Sequence, residues 1–145
     1  MILSYKMEII EIKGNLFNRN LTKDSVLAHC IAADAGMGRG IAVDFVKKYP
    51  QIKRLRNEVL EVGHTYYVHP ILNIVTKRRS CGKPSYESMC FALQNMAQVM
   101  KENHITEVFM PKIGCGLDRL SWPAVKEQLK YVFGDSKVTF NVYYI

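Results

Sequence analysis

The residues of this chain whose types and spacing can do chemistry gather in two glycine-bearing loops and around Lys77 and Asp118. Residues 111–120 read Pro-Lys-Ile-Gly-Cys-Gly-Leu-Asp-Arg-Leu, after the apolar run Glu107-Val108-Phe109-Met110 and before Ser121-Trp122-Pro123, a helix start. Gly114 and Gly116 therefore fall on a strand-to-helix turn, where missing Cβ atoms leave amides able to cradle a phosphate or diphosphate, with Asp118 at the rim. A second loop, Gly36-Met37-Gly38-Arg39-Gly40, feeds another helix directly, and together the two can hold a diphosphate between them. Neither matches GxxxxGK[ST], which disfavours a nucleoside-triphosphatase, and the second loop is only a loose relative of GxGxxG.

Asp118 has the chemistry of a general acid or base, and Lys77 that of a nucleophile or phosphate clamp. Taken singly, an acid before Arg119 is more often a turn or salt-bridge residue, and a lysine in Lys-Arg-Arg more often part of a solvated surface. Cys115 and His29 show no spacing that makes them a nucleophile and base, and a cysteine between glycines suits a need for small size.

The elements that must position these groups alternate strand and helix. Residues 5–13 alternate as a strand, with Met7, Ile9 and Ile12 in one environment and Glu8 and Glu11 in another. Residues 25–31 are almost continuously apolar, the pattern of a central strand covered on both faces. A helix follows with Ile41, Phe45 and Lys48-Tyr49 at helical spacing, stopped by Pro50, then a short helix over 51–60 with Ile52, Leu55 and Val59 on one face. Residues 65–68 and 71–76, separated by His69-Pro70, predict an antiparallel hairpin and hence a mixed sheet. Tyr86, Met89, Cys90, Leu93, Met96, Ala97 and Met100 mark the clearest helix, its methionines reading as core rather than cofactor ligands. After the strand at 106–110, Ser121 is placed to cap a helix buried through Val125, Leu129, Val132 and Phe133, with Leu120 and Val125 as a staple. A β-prone run closes the chain at 138–145.

Length and composition bound the answer. The 145 residues suit one domain, and 48% hydrophobic with 23% charged residues argues against disorder. No apolar run approaches a membrane span, and residues 1–6 lack a signal-peptide core, so a cytosolic or nuclear protein is expected. Cysteines 30, 81, 90 and 115 have neither disulfide-framework nor metal-ligand spacing. The net charge of +7 favours anionic partners without choosing among them.

Taken together, Leu27-Ala28-His29-Cys30-Ile31, Met37-Gly38-Arg39-Gly40-Ile41-Ala42-Val43, residues 74–80, residues 83–87 and residues 111–122 resemble the macrodomain family in order and type, across nearly the whole chain. The resemblance implies a three-layer α/β/α fold with a mixed six-stranded sheet and ADP-ribose lying across its strand ends. It places Asn15 and Leu16 at the adenosine, and Met37, Gly38, Gly40, Ile41 and Ala42 with Lys112, Ile113, Gly114, Cys115, Gly116 and Leu117 at the diphosphate. Ile31 and Thr76 line the ligand at the strand ends, and Lys77 and Asp118 meet the distal ribose. The Asn-Ala-Ala-Asn loop with three consecutive glycines is absent, which points to a lysine-using subgroup. Asn15 stands where the family usually has aspartate; its carbonyl oxygen can still accept from the adenine amino group but without charge assistance, a difference of about 1 kcal/mol.

The implied chemistry is hydrolysis of an ester joining ADP-ribose to Glu or Asp side chains or to acetate, with Lys77 as nucleophile, Asp118 moving protons, and no metal or cofactor. A lysine attacks only as the free amine; Arg78 and Arg79 beside it favour that form, and a close Asp118 opposes it. Expected partners are ADP-ribose, ADP-ribosylated proteins and poly-ADP-ribose, for a monomer in the nucleus or cytoplasm, in settings that include the response to DNA damage. Two other function classes compete. A non-catalytic ADP-ribose reader would not need the Lys77 and Asp118 pair, and a nucleic-acid module using the +7 charge would bind in a steeply salt-dependent way.

Overall fold

A strand with no polar face must be covered on both sides, and Ser25–Ala32 is such a strand, with seven of its eight residues buried. The computed structural model describes residues 7–145, and these form six strands, three α-helices and one 3₁₀ helix. Their order is β1 (Glu8–Lys13), β2 (Ser25–Ala32), α1 (Ile41–Lys48), the 3₁₀ helix (Pro50–Asn57), β3 (Thr65–Val68), β4 (Ile71–Lys77), α2 (Tyr86–Glu102), β5 (Glu107–Pro111), α3 (Trp122–Phe133) and β6 (Thr139–Tyr144). They build one sheet in the order β1-β6-β5-β2-β4-β3. Every neighbouring pair is parallel except the β3–β4 hairpin.

Parallel strands require crossovers, and here the crossovers supply the two outer layers. On one face α2 and α3 bury Met89, Leu93, Met96, Leu129 and Phe133 against Val26, Ile74, Val108 and Phe140 of the sheet. On the other, α1 and the 3₁₀ helix bury Phe45, Ile52 and Leu55 against Leu27, Ile71 and Val75. The methionines of α2 thus fill the core, and the mixed three-layer α/β/α sheet expected from the sequence is present. Ser85 caps α2 in a reciprocal capping box with Ser88, whose hydroxyl also donates to Thr76 O at 2.6 Å and so ties α2 to the end of β4. Among the described residues no helix is long and apolar enough to cross a membrane.

Several local expectations change. Tyr5, Lys6 and the rest of 1–6 lie outside the described residues. Ile9 packs in the α3 layer but Ile12 in the α1 layer, because three residues along a strand reverse the face. Ile10 is exposed, since β1 is an edge strand with one neighbour. The helix at 51–60 is instead a 3₁₀ helix, whose threefold period buries Ile52 and Leu55, and it ends before Val59, which is 92% exposed. Ile41 and Tyr86, which mark the helical spacing, are exposed at the first turns of α1 and α2. Ser121 occupies the cap position of α3 without a side-chain capping bond, Val132 is only partly buried, and Trp122 is buried beside Val125 instead.

His29 lies in the middle of β2, fully buried and stacked on Phe45 at 4.2 Å between ring centroids. Its Nε2 lies 2.6 Å from Asn73 Oδ1, while Asn73 Nδ2 donates to Tyr66 O and Ile71 O, so Nε2 must carry the proton of a neutral ring. Burial pushes its pKa down from 6.5 to about 4, the Asn73 bond opposing. Between those values the unfolded chain binds a proton that the folded one refuses, so stability rises with pH across that window. Urea midpoints should therefore fall as pH drops from 6.5 to 5, by an amount equivalent to about 2 kcal/mol. His29→Gln should flatten that slope; an unchanged slope would mean another group carries it.

Candidate functional site

Because β1, β6, β5, β2 and β4 all run the same way, the loops that follow β1, β2, β4 and β5 emerge at one edge of the sheet. The positions singled out in the sequence therefore line up in space in strand order: Asn15 and Leu16 beyond β1, the 112–120 loop beyond β5, the 33–40 loop beyond β2 and Lys77 at the end of β4. Four strand spacings of about 4.8 Å set the two ends of this row roughly 19 Å apart.

The two glycine loops touch. A Cβ at Gly40 (φ +61°) would lie 3.3 Å from Leu117 Cδ1, so the first turn of α1 sits directly beside the β5 loop. α1 begins at Gly40 without a side-chain cap, which leaves its first-turn amides, including those of Ile41 and Ala42, without an intrahelical acceptor. Gly114 has φ +73°, a left-handed conformation that favours glycine, and a Cβ there would meet the flexible end of Met89 at 2.7 Å and Leu120 Cδ1 at 3.0 Å. Gly116 has nothing within 4 Å of its Cβ direction, and Gly38 only Gly36 O at 4.0 Å, so these two face open space where a ligand can approach the backbone. Leu117 is 55% exposed above them.

Each loop is clamped from outside itself. Asp34 accepts from the Ser80 hydroxyl at 2.5 Å, the Ser80 amide at 2.8 Å and the Gly36 amide at 2.9 Å, binding the first glycine loop to the segment after Lys77. The Ser80 hydroxyl, followed by those two amides, holds the Asp34 carboxyl below its usual range despite some desolvation. Arg56 completes the clamp by donating from Nε to Ala35 O at 3.0 Å and from Nη2 to Gly36 O at 2.9 Å. The β5 loop closes on itself through Leu120 N to Gly114 O at 2.7 Å, and Lys83 Nζ donates to Leu117 O at 2.7 Å. The Tyr86 hydroxyl accepts from Ser121 N at 2.8 Å. Asp34, Arg56, Ser80, Lys83 and Tyr86 were not singled out as site residues in the sequence, because their partners are distant in the chain.

Lys77 and Asp118, 41 residues apart, meet at this edge: Nζ donates to Oδ1 at 2.6 Å, with the two side chains 14% and 15% exposed. The β2–β4 register slips so that Ile31 opposes Val75 and Ala32 opposes Lys77, which turns the strand end where Lys77 leaves the sheet. Asp118 pairs with Lys77 while its neighbour Arg119 adopts φ +62°, so the loop backbone rather than an Asp-Arg pair sets the acid's direction.

Other positions serve differently. The Asn15 carbonyl oxygen accepts from Phe17 N at 2.9 Å, a local turn bond that an incoming amino group would share or displace. Leu16, Ile31, Met37 and Ile113 are buried beneath the row. Thr76 is buried with its hydroxyl beside the Cys30 thiol, so it supports the floor rather than the surface. Lys112 points toward the α3 side, 4.0 Å from Glu11 Oε1 and 4.8 Å from the Tyr144 ring centroid. Cys115 donates to Ile113 O at 3.2 Å, and burial pushes its thiol up to about 11, which leaves it a poor nucleophile. Burial raises the Cys30 thiol further. A groove of about 570 Å³ between β1 and α3, lined in part by Ile9, Lys126 and Lys130, lies apart from these loops, its two lysines paired with Glu11 and Glu127.

The α/β/α sheet itself is shared with known folds. The macrodomain of Thermus aquaticus DarG superposes with a TM-score of 0.80 at 21% identity, covering 96% of this chain and 99% of that one. Thermosipho africanus DarTG, solved in complex with ADP-ribose, does so at 0.76 and 18% identity, over 94% of this chain and 41% of that one. In sequence, human ADP-ribose glycohydrolase OARD1 is 37% identical over 139 residues, spanning 93% of this chain and 90% of the relative. No protein-family model matches the chain. The chain belongs to the macrodomain family, in the branch that includes ADP-ribose glycohydrolase OARD1.

Gly114→Ala should lower stability by about 1 kcal/mol, chiefly through left-handed backbone strain, since the Met89 Cε it would meet is the flexible end of its side chain. Denaturation midpoints measure this, and an unchanged midpoint would mean that the loop relaxes freely.

Proposed function

We propose that this protein is an ADP-ribosyl hydrolase that releases ADP-ribose from Glu and Asp side chains and deacylates O-acetyl-ADP-ribose. The observation that carries the reading is the 2.6 Å contact of Lys77 Nζ with Asp118 Oδ1 beside two touching glycine loops. The name of human ADP-ribose glycohydrolase OARD1 supports the reaction class, and the DarTG complex supports ADP-ribose as the ligand.

In this reading the ligand follows the strand order. Adenosine lies toward Asn15 and Leu16, the diphosphate lies over Gly38–Ala42 and Gly114–Leu117, and the distal ribose reaches Lys77. First-turn amides of α1 and the open backbone at Gly116 suit a diphosphate, since both oppose its charge without a side chain in the way. Asp118 takes a proton from the Lys77 ammonium, and the freed amine attacks the anomeric carbon of the distal ribose. The bond from that carbon to the acyl oxygen breaks and the carboxylate leaves. Water then hydrolyses the carbon–nitrogen bond, Asp118 returns the proton, and ADP-ribose is released with the lysine restored. Both groups are largely enclosed, so bulk water competes poorly with proton exchange between them.

A purely binding module would have no use for a lysine held on an aspartate at the ribose end. Lys77→Ala and Asp118→Ala should each reduce turnover of an ADP-ribosylated acidic peptide by at least about 1,000-fold while keeping ADP-ribose affinity within about threefold. Full activity in Lys77→Ala would overturn the covalent route. Gly116→Ala, whose added methyl meets no protein atom, should leave the denaturation midpoint unchanged yet weaken ADP-ribose binding about tenfold by calorimetry.

A further inference from the structure

Strand order brings Lys77 and Asp118 to one edge, but only Lys77 belongs to a strand. Asp118 lies well beyond Pro111, the last residue of β5, in a loop whose bonds from Cys115 N to Lys112 O, Arg119 N to Gly116 O and Leu120 N to Gly114 O all stay inside it. Such bonds give the loop its shape. They do not set its distance from β4.

Anchors from outside the loop flank Asp118 on both sides. Lys83 Nζ donates to Leu117 O at 2.7 Å, just before the acid in the chain, and Ser121 N donates to the Tyr86 hydroxyl oxygen at 2.8 Å, just after it. Both anchors come from the entry of α2. The same entry reaches the lysine, because Ser88 Oγ donates at 2.6 Å to Thr76 O, whose peptide group leads directly into Lys77. Gln128 Nε2 of α3 in turn donates to Tyr86 O at 2.7 Å, which braces the tyrosine backbone. Residues 83–88 therefore grip the main chain beside both members of the pair.

The helix start does not require the Lys83 and Tyr86 side chains, since Ser85 and Ser88 already cap α2 reciprocally. Their partners lie 34 and 35 residues away, so these contacts serve the loop. Both residues are exposed, and a single hydrogen bond at the surface adds little to overall stability. Its leverage is on geometry, because a displacement of about 1 Å in a reacting group can cost about 100-fold in rate.

We propose that Lys83 and Tyr86 are positioning residues for the hydrolysis: from the entry of α2 they hold the backbone on either side of Asp118, so that its carboxylate stays on the Lys77 amine. The inference rests on the hydrolase reading of that pair. Neither residue touches the reacting atoms; each acts through Asp118.

The test combines steady-state hydrolysis of an ADP-ribosylated acidic peptide with calorimetry of ADP-ribose and hydrogen exchange over residues 112–121. Lys83→Met and Tyr86→Phe should each lower kcat about tenfold, with KM and the ADP-ribose dissociation constant held within about threefold and the thermal midpoint unchanged. Lys83→Arg, which keeps a charged donor, should restore kcat to within about threefold of the wild type. Amides of 117–121 should exchange faster in Lys83→Met and Tyr86→Phe. Lys101→Met and Tyr131→Phe, at exposed positions away from this loop, should change neither kcat nor exchange. Should Lys83→Met lower the thermal midpoint, Tyr86→Phe, which removes a single oxygen and keeps the ring, still reads the same role. Weakened ADP-ribose binding with kcat unchanged would make Lys83 a ligand contact and overturn the proposal, as would unchanged kcat in both variants of an active protein. A wild type inactive on the peptide would instead overturn the hydrolase reading itself.

Discussion

Parallel pairing of β5, β2 and β4 is the constraint on which the site depends, because it sends residues from three separate crossovers to the same edge. Reversing any one of these strands would carry its loop to the opposite edge, about six residues or roughly 20 Å away. The arrangement requires β2 to be apolar on both faces, and α1 on one side and α2 with α3 on the other supply the cover. The core and the site therefore have one origin. The layers that bury Leu27, Ile74 and Val108 also hold the ends of their strands where the glycine loops meet.

Within that edge, polar clamps do what packing cannot. Loops cannot be buried without satisfying their amides and carbonyls, and here Asp34, Arg56 and Lys83 satisfy them from segments distant in the chain. The clamps are charged groups bonded to backbone, which makes them directional and leaves the central backbone at Gly38 and Gly116 open. The Lys77–Asp118 pair has the opposite character: mostly enclosed, with its partner groups brought together by strand order. An enclosed pair contributes little net stability relative to apolar residues in the same place. Cys115 lies in the same loop yet is tied to Ile113 O with its thiol pushed up.

The 3₁₀ helix shows how local physics and tertiary demand combine. Its apolar residues Ile52 and Leu55 are three apart and suit either helix type, and the tighter form is the one that leaves Val59 outside and brings Arg56 to the glycine loop.

Periodicity along the chain was enough to identify the methionine face of α2, the doubly covered β2 and the hairpin at 65–77, since each is a local pattern matched to one environment. The glycine loops and the motif around Asp118 were legible for the same reason: residue type there is dictated by backbone shape and by a fixed position after a strand. Positions at or beyond element ends were misread where tertiary context decides exposure, as at Val59 and Val132. By itself the sequence determined the alternation of strands and helices, the two glycine-bearing turns and the family to which their order points. Only the tertiary structure decided that Lys77 and Asp118 touch, that Gly40 meets Leu117, and that Asp34 and Lys83 are clamps, because strand order and register join residues that no spacing along the chain relates.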